Sequence, residues 1–322
     1  MFDLTPLASL LIIVLMTLRR AFAALLVPTL LGATACTEQP QDGTRVVAAF
    51  YALEYAATEV AGDQVRVDSL TTPGVDAHGV ELSPQQIASL ADADLVIYLK
   101  GFQPAVDEAI AQSGATNVLE VSEYAALLPA KAHDDHEHGD AEDDEDHEQG
   151  ETDPHFWLDP TRVASVGQAI ADNLPGSAEE KEEFQSNAAS LSAQMAQLDT
   201  DYRDGLAQCE RRSFITSHQA FGYLADRYDL EEIGINGINP ESEASPARIA
   251  EIHDLAAQHD VTTIFFEVLA SPALAEAIAG DLGLKTAVLD PIEGLSDQSP
   301  GSDYPSIMEA NLAALTLANG CR

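Results

Sequence analysis

Residues 178–208, AEEKEEFQSNAASLSAQMAQLDTDYRDGLAQ, decide how this chain is organised. Phe184, Ala188, Leu191, Met195, Leu198, Tyr202 and Leu206 recur at intervals of three or four, the spacing of one face of an α-helix. No proline or glycine interrupts the run before Gly205. Roughly 30 residues at about 1.5 Å each make a rod of about 45 Å, enough to run the height of two lobes. One stiff helix in mid-chain is a connector, and it restricts hinge motion between the parts it joins.

On both sides of it, short apolar runs alternate with helical patterns. Upstream, strands are expected at Val46–Phe50, Val65–Leu70, Leu95–Leu99 and Asn117–Val121, with helices at Leu53–Val60, Pro84–Leu90 and Pro104–Ala111. Downstream, strands are expected at Phe214–Ser217, Glu231–Ile235, Thr262–Glu267 and Lys285–Leu289, with helices at Ala220–Tyr228, Pro246–Gln258 and Pro272–Leu282. Such alternation builds parallel sheets through right-handed crossovers. The expected fold is α/β. Two Rossmann-like lobes, 37–177 and 209–322, are joined by one long rigid helix at 178–208.

Residues 1–36 stand outside that fold. Apolar runs Leu7–Leu18 and Ala21–Ala35 flank Arg19-Arg20, and neither reaches the roughly 20 residues of a membrane span. The second run, preceded by positive charge and followed by Gly32-Ala33-Thr34-Ala35-Cys36, resembles a bacterial lipoprotein signal in which Cys36 carries the lipid. A start at Met16 makes that signal conventional; an ordinary cleaved signal is the other reading. Either implies export. Cys209 and Cys321 are then an even pair in an oxidising compartment, and a disulfide between them is expected, two free thiols being the alternative.

Charge is strongly one-sided, 54 acidic residues against 15 basic, a net of −39. That excludes nucleic acid and anionic membrane surfaces as partners, because both need clustered Lys and Arg. From Cys36 onward the counts are 53 and 13, and twelve of those acids lie between Asp134 and Asp153. Without them 41 still face 13, so most of the excess is spread over both lobes and reads as adaptation to a saline exterior. The segment 133–150, HDDHEHGDAEDDEDHEQG, has no apolar residue except one alanine and should be a mobile loop. Its His133, His136, His138 and His147 read as an auxiliary, low-affinity metal loop, weak because flexible ligands lose chain entropy on binding; a solvated acidic linker is the alternative.

Three other histidines carry the chemistry. His78 follows the second strand, His155 precedes a helix in Asp153–Pro160, and His218 ends the first strand of the second lobe. Strand ends are where open α/β sheets place their ligands, and each histidine has Asp, Ser or Thr neighbours able to set its tautomer. Alone, each reads as a hydrogen-bonded loop histidine; together they read as a metal site in the cleft between the lobes. His253 and His259, on a polar helix, are expected to face water.

The motifs PGVDAHGVELSP (73–84), DPHFWLDP (153–160), TSHQAFGYLADRY (216–228), ESEASPARI (241–249), TIFFEVLASP (263–272) and AVLDPIEG (287–294) occur in this order. Together they resemble the metal-specific solute-binding lipoproteins of bacterial zinc and manganese ABC importers, the ZnuA and TroA-like group, over about 43–322. Ala77 departs from that pattern, where proline is frequent. The resemblance implies His78, His155 and His218 as ligands, with Asp290 favoured as the fourth. Glu267, a water or a loop residue are the alternatives for that place, and Glu243 reads as a surface residue.

Three imidazoles and at most one carboxylate suit four-coordinate Zn2+; Mn2+ prefers more oxygen ligands. The implied function is capture of Zn2+ and delivery to an ABC permease by a monomer lipid-anchored at the outer face of the cytoplasmic membrane, or periplasmic. Alternatives are a manganese- or iron-type member, a metal-binding adhesin and, distantly, a secreted zinc hydrolase. No HExxH motif is present, and an enzyme is not expected.

Overall fold

The computed structural model describes residues 43–130 and 152–322. Cys36, with the signal-like segment, and His133, His136, His138 and His147, with the acidic loop, lie outside the described residues.

The first sheet contains Arg45–Ala48 (β1), Arg66–Ser69 (β2), Leu95–Tyr98 (β3) and Val118–Glu120 (β4), all parallel, in the order β2-β1-β3-β4. The crossovers carry Tyr51–Ala61 (α1), Pro84–Ala91 (α2) and Pro104–Ser113 (α3), and a single turn, Ser122–Ala125 (α4), follows β4. The second sheet repeats the plan with Ser213–Thr216 (β5), Glu231–Gly234 (β6), Thr263–Phe266 (β7) and Lys285–Val288 (β8), ordered β6-β5-β7-β8. In each sheet the chain starts inside, steps to one edge, then crosses to the other side. Loops leaving the two central strands therefore diverge, which opens a crevice at the strands' C-terminal ends.

Between the sheets lie Pro160–Asn173 (α5) and the long helix Ala178–Leu206 (α6). A capping box starts α6: Ser177 Oγ accepts from the Glu180 amide, and the Glu180 carboxylate accepts from the Ser177 amide. Its buried residues are Phe184, Ala188, Leu191, Met195, Leu198, Tyr202 and Leu206, the face read from the spacing. Each large side chain among them contributes about 1.5–3 kcal/mol by leaving water. The face packs on α5 and α1, and Gly167 of α5 allows the approach, since a Cβ there would stand 2.6 Å from Leu191 Cδ2.

The second lobe adds Gly222–Arg227 (α7), Pro246–Gln258 (α8), Ala273–Leu282 (α9) and Tyr304–Asn319 (α10). No element was expected after Leu289. In α10 apolar residues surround the helix, which blurs the periodicity, and its start is marked by the capping box at Asp303 and Ser306 and by Pro305 in the first turn. One continuous core runs from the first sheet through α5 and α6 to Phe214, Phe265, Tyr304 and Met308. A smaller one, around Ile215, Ile233, Ile252 and Ile264, completes the second lobe. The shared core leaves little freedom for wholesale opening.

Cys209 and Cys321 form a disulfide across a separation of 112 residues, tying the end of α10 to the chain just beyond α6. Replacing both cysteines with serine should lower unfolding free energy by up to about 4–5 kcal/mol in the chain-entropy account. Urea titration reads this directly, and an unchanged midpoint would contradict it.

Candidate metal centre

His78 and His218 are delivered by strand-end loops and His155 by the segment that leads into α5. His78 lies after β2, where the Asp76 carboxylate accepts its amide at 2.7 Å and Gln103 Nε2 donates to Ala77 O at 2.9 Å. His155 sits between Pro154 and a short 3-10 turn, Phe156–Leu158. Asp153 Oδ1 accepts both its amide, at 2.9 Å, and its ring Nδ1, at 2.8 Å. His218 follows β5, and Glu267, just after β7, accepts from its Nδ1 at 2.7 Å and also from the Ser217 hydroxyl. These two carboxylates keep the proton on Nδ1, so the Nε2 lone pairs of His155 and His218 point into the cleft.

They meet a fourth donor there. Glu293 Oε1 is 3.3 Å from His78 Nε2 and 3.2 Å from both His155 Nε2 and His218 Nε2, while His78 Nε2 and His155 Nε2 are 3.1 Å apart. All four atoms fall within 4.8 Å of one another. Four ligands bound tetrahedrally to zinc at about 2.0 Å have edges of about 3.3 Å. The His218 contact is close but not an aligned hydrogen bond, which leaves its buried Nε2 without a hydrogen-bond partner. The donor set is what a divalent cation of zinc's size needs.

The electrostatics also ask for a cation. Burial disfavours the charged form of His155, yet the Asp153 and Glu293 carboxylates outweigh it and push the ring up to about 9. His218 is likewise raised well above its ordinary value, against burial, by Glu267 and Glu293. His78 lacks such a backing carboxylate, and burial lowers it despite Glu293. Burial would raise Glu293, but three surrounding imidazoles hold it well below the usual carboxylate range. Without metal the site holds protons where metal would sit. His78, with 11% of its side chain exposed, is the only donor of the four that reaches solvent; it opens on a cavity of about 530 Å³ lined by Leu99, Phe102, Pro154 and Ile238.

Asp290, expected as the fourth ligand, is not in the donor group, and Glu293 occupies that place. Asp290 instead folds the turn. Its Oδ1 accepts the Ile292 amide at 2.8 Å, while Asn311 bonds both its backbone N–H, at 2.9 Å, and its carbonyl, at 2.7 Å. Ile292 is left-handed, with φ 59°, an arrangement costing a β-branched residue on the order of 1–3 kcal/mol. That reversal turns the next side chain, Glu293, inward. Glu293 lies inside the AVLDPIEG motif, but two carboxylates three residues apart in an irregular turn carry no periodicity to separate them.

Glu267, the alternative donor, stands behind the His218 ring, and Glu243 is exposed. His253 and His259 do not simply face water: both are partly buried, and His259 Nδ1 pairs with Ser213 Oγ at 2.8 Å. Gly222 was not singled out in the sequence, yet a Cβ there would stand 2.6 Å from Asp153 Oδ2. Glycine thus lets the carboxylate that orients His155 pack on the start of α7, the helix that follows His218.

The family described as "ZnuA: Zinc-uptake complex component A periplasmic" matches residues 46–318. The zinc-binding lipoprotein AdcA of Streptococcus pneumoniae is 35% identical over 292 residues, 87% of this chain and 57% of that protein. This chain thus spans little more than half the length of such relatives. The high-affinity zinc uptake system protein ZnuA of Bacillus subtilis is 34% identical over 281 residues, covering 85% of this chain and 87% of the other. Among solved structures, the laminin-binding protein Lmb of Streptococcus agalactiae, described as having adhesin and metal-transporting activity, superposes with a TM-score of 0.74. It is 29% identical and covers 86% of this chain and 99% of the other.

Proposed function

Because the chain belongs to the ZnuA family of zinc-uptake components, we propose that it captures Zn2+ outside the cytoplasmic membrane and hands it to an ABC permease. The observation that carries this reading is the convergence of three imidazole Nε2 atoms and one carboxylate oxygen within 4.8 Å, three of the four residues fully buried. Three nitrogens and one oxygen with tetrahedral spacing favour Zn2+ over Mn2+, which takes oxygen-rich, higher-coordinate sites. Capture and release make and break only coordination bonds, so no covalent chemistry enters. The ion reaches the site past His78, displaces protons from His155 and His218, and meets the single negative charge of Glu293, which offsets half of its own. Cys36 supplies the lipid that holds the protein beside its permease.

Calorimetry should give one tightly bound Zn2+ per chain, apart from any weak binding by the histidine-rich loop, with Mn2+ at least about a hundredfold weaker. A strain lacking the gene should grow poorly on chelated medium and recover with added zinc. A protein that takes up no zinc at micromolar concentration, or a deletion strain indifferent to chelation, would refute the reading.

A further inference from the structure

Trp157 is fully buried, and its ring stands edge-on to His155 with centroids 5.3 Å apart. Phe50 and Phe102, at 5.0 and 5.6 Å, close around the indole, and the Tyr304 hydroxyl donates to the Trp157 carbonyl at 2.5 Å. The ring is thus confined from several sides. Its indole N–H crosses to the second lobe and donates to Pro291 O at 2.7 Å. Pro291 lies two residues before Glu293, in the turn whose base Asn311 fixes at Asp290. The left-handed Ile292 before Glu293 is not a conformation this residue keeps unaided, so the turn depends on the bonds that hold Asp290 and Pro291 just ahead of it.

We infer that Trp157 is a positioning residue for the metal. Its indole N–H registers the Glu293 carboxylate of the second lobe against the His155 imidazole of the first. The inference rests on the zinc reading above. Metal affinity then depends on a hydrogen bond made about two residues from the donor that supplies the carboxylate, by a side chain outside the donor set. Groups that orient metal ligands in this way typically contribute 10- to 100-fold in affinity.

The chain contains one tryptophan, so replacing tryptophan throughout with 3-benzothienylalanine changes this position alone. The analogue keeps the two-ring outline and lacks the N–H. Trp157→Phe is the second variant. Zinc affinity is measured by competition with a chelating dye, alongside melting of the zinc-free protein. The analogue should keep one zinc per chain and bind it about 10- to 100-fold more weakly, with the zinc-free melting temperature nearly unchanged. In a Glu293→Ala background the same replacement should cost less than about threefold, because no carboxylate is left to register. Unchanged affinity in the analogue, or losses that simply add in the double variant, would overturn the positioning role and leave the zinc reading standing. Wild-type protein that binds no zinc would overturn that reading instead.

Discussion

Replacing His218 with alanine will weaken zinc binding by roughly a hundred- to a thousandfold. Four-ligand zinc sites hold their ion with about 10–16 kcal/mol, so one donor of four is worth about 2.5–4 kcal/mol, and 1.4 kcal/mol is tenfold. A water can replace the lost nitrogen, but it would be neither oriented by Glu267 nor fixed to the β5 strand end. The substitution also leaves Glu267, 4% exposed, without the imidazole that faces it. A buried carboxylate left with the Ser217 hydroxyl as its partner and no imidazole facing it is costly, so the zinc-free variant should melt below wild type as well. Dye competition reads the affinity and calorimetry the melting; wild-type affinity in the variant would remove His218 from the ligand set.

Zinc will be released on acidification with a steepness set by two histidines. His155, at about 9, and His218, raised well above the ordinary value, are both protonated in the zinc-free site at neutral pH. Each must give up its proton before Nε2 can bind metal. His78, lowered by burial, is neutral there and adds nothing until more acid conditions. The apparent affinity should therefore fall by roughly two decades for each pH unit between about 7.5 and 5. A slope near zero would contradict a histidine site, and a slope near one would leave only a single titrating ring.

The zinc-free protein responds in the opposite sense. The folded value of His155, about 9, lies above its ordinary 6.5, so the stability it lends is complete below about 6.5 and lost as pH rises through about 9. Acid thus favours the folded, protonated, empty site while disfavouring the loaded one. Those carboxylates hold the pocket together when no ion is present.

Much of this was legible in the sequence because it depends on local periodicity. The buried face of α6 follows from the interval between Phe184 and Leu206, and seven of the eight strands fall where their β-branched runs lie within about a residue. The three histidines were legible for a related reason, since strand ends and helix starts are where such folds gather ligands; of the carboxylates that set their rings, Asp153 lies two residues from His155, whereas Glu267 lies 49 residues from His218. His259 was misjudged because its partner, Ser213, lies 46 residues away on another element.

The sequence by itself determined two parallel α/β lobes and the helix between them, and it singled out three of the four residues that converge in the candidate centre, all features in which spacing along the chain stands in for position in space. The tertiary structure alone decided which carboxylate completes the set. Asp290 and Glu293 share one short turn, and what separates them is the left-handed Ile292, the Asn311 clasp beneath Asp290 and the Trp157 bond to Pro291. Those contacts reach 21 residues forward and 134 back, so no local pattern contains them. A carboxylate becomes a ligand by where its oxygen lies, and that position is fixed by partners folded in from elsewhere.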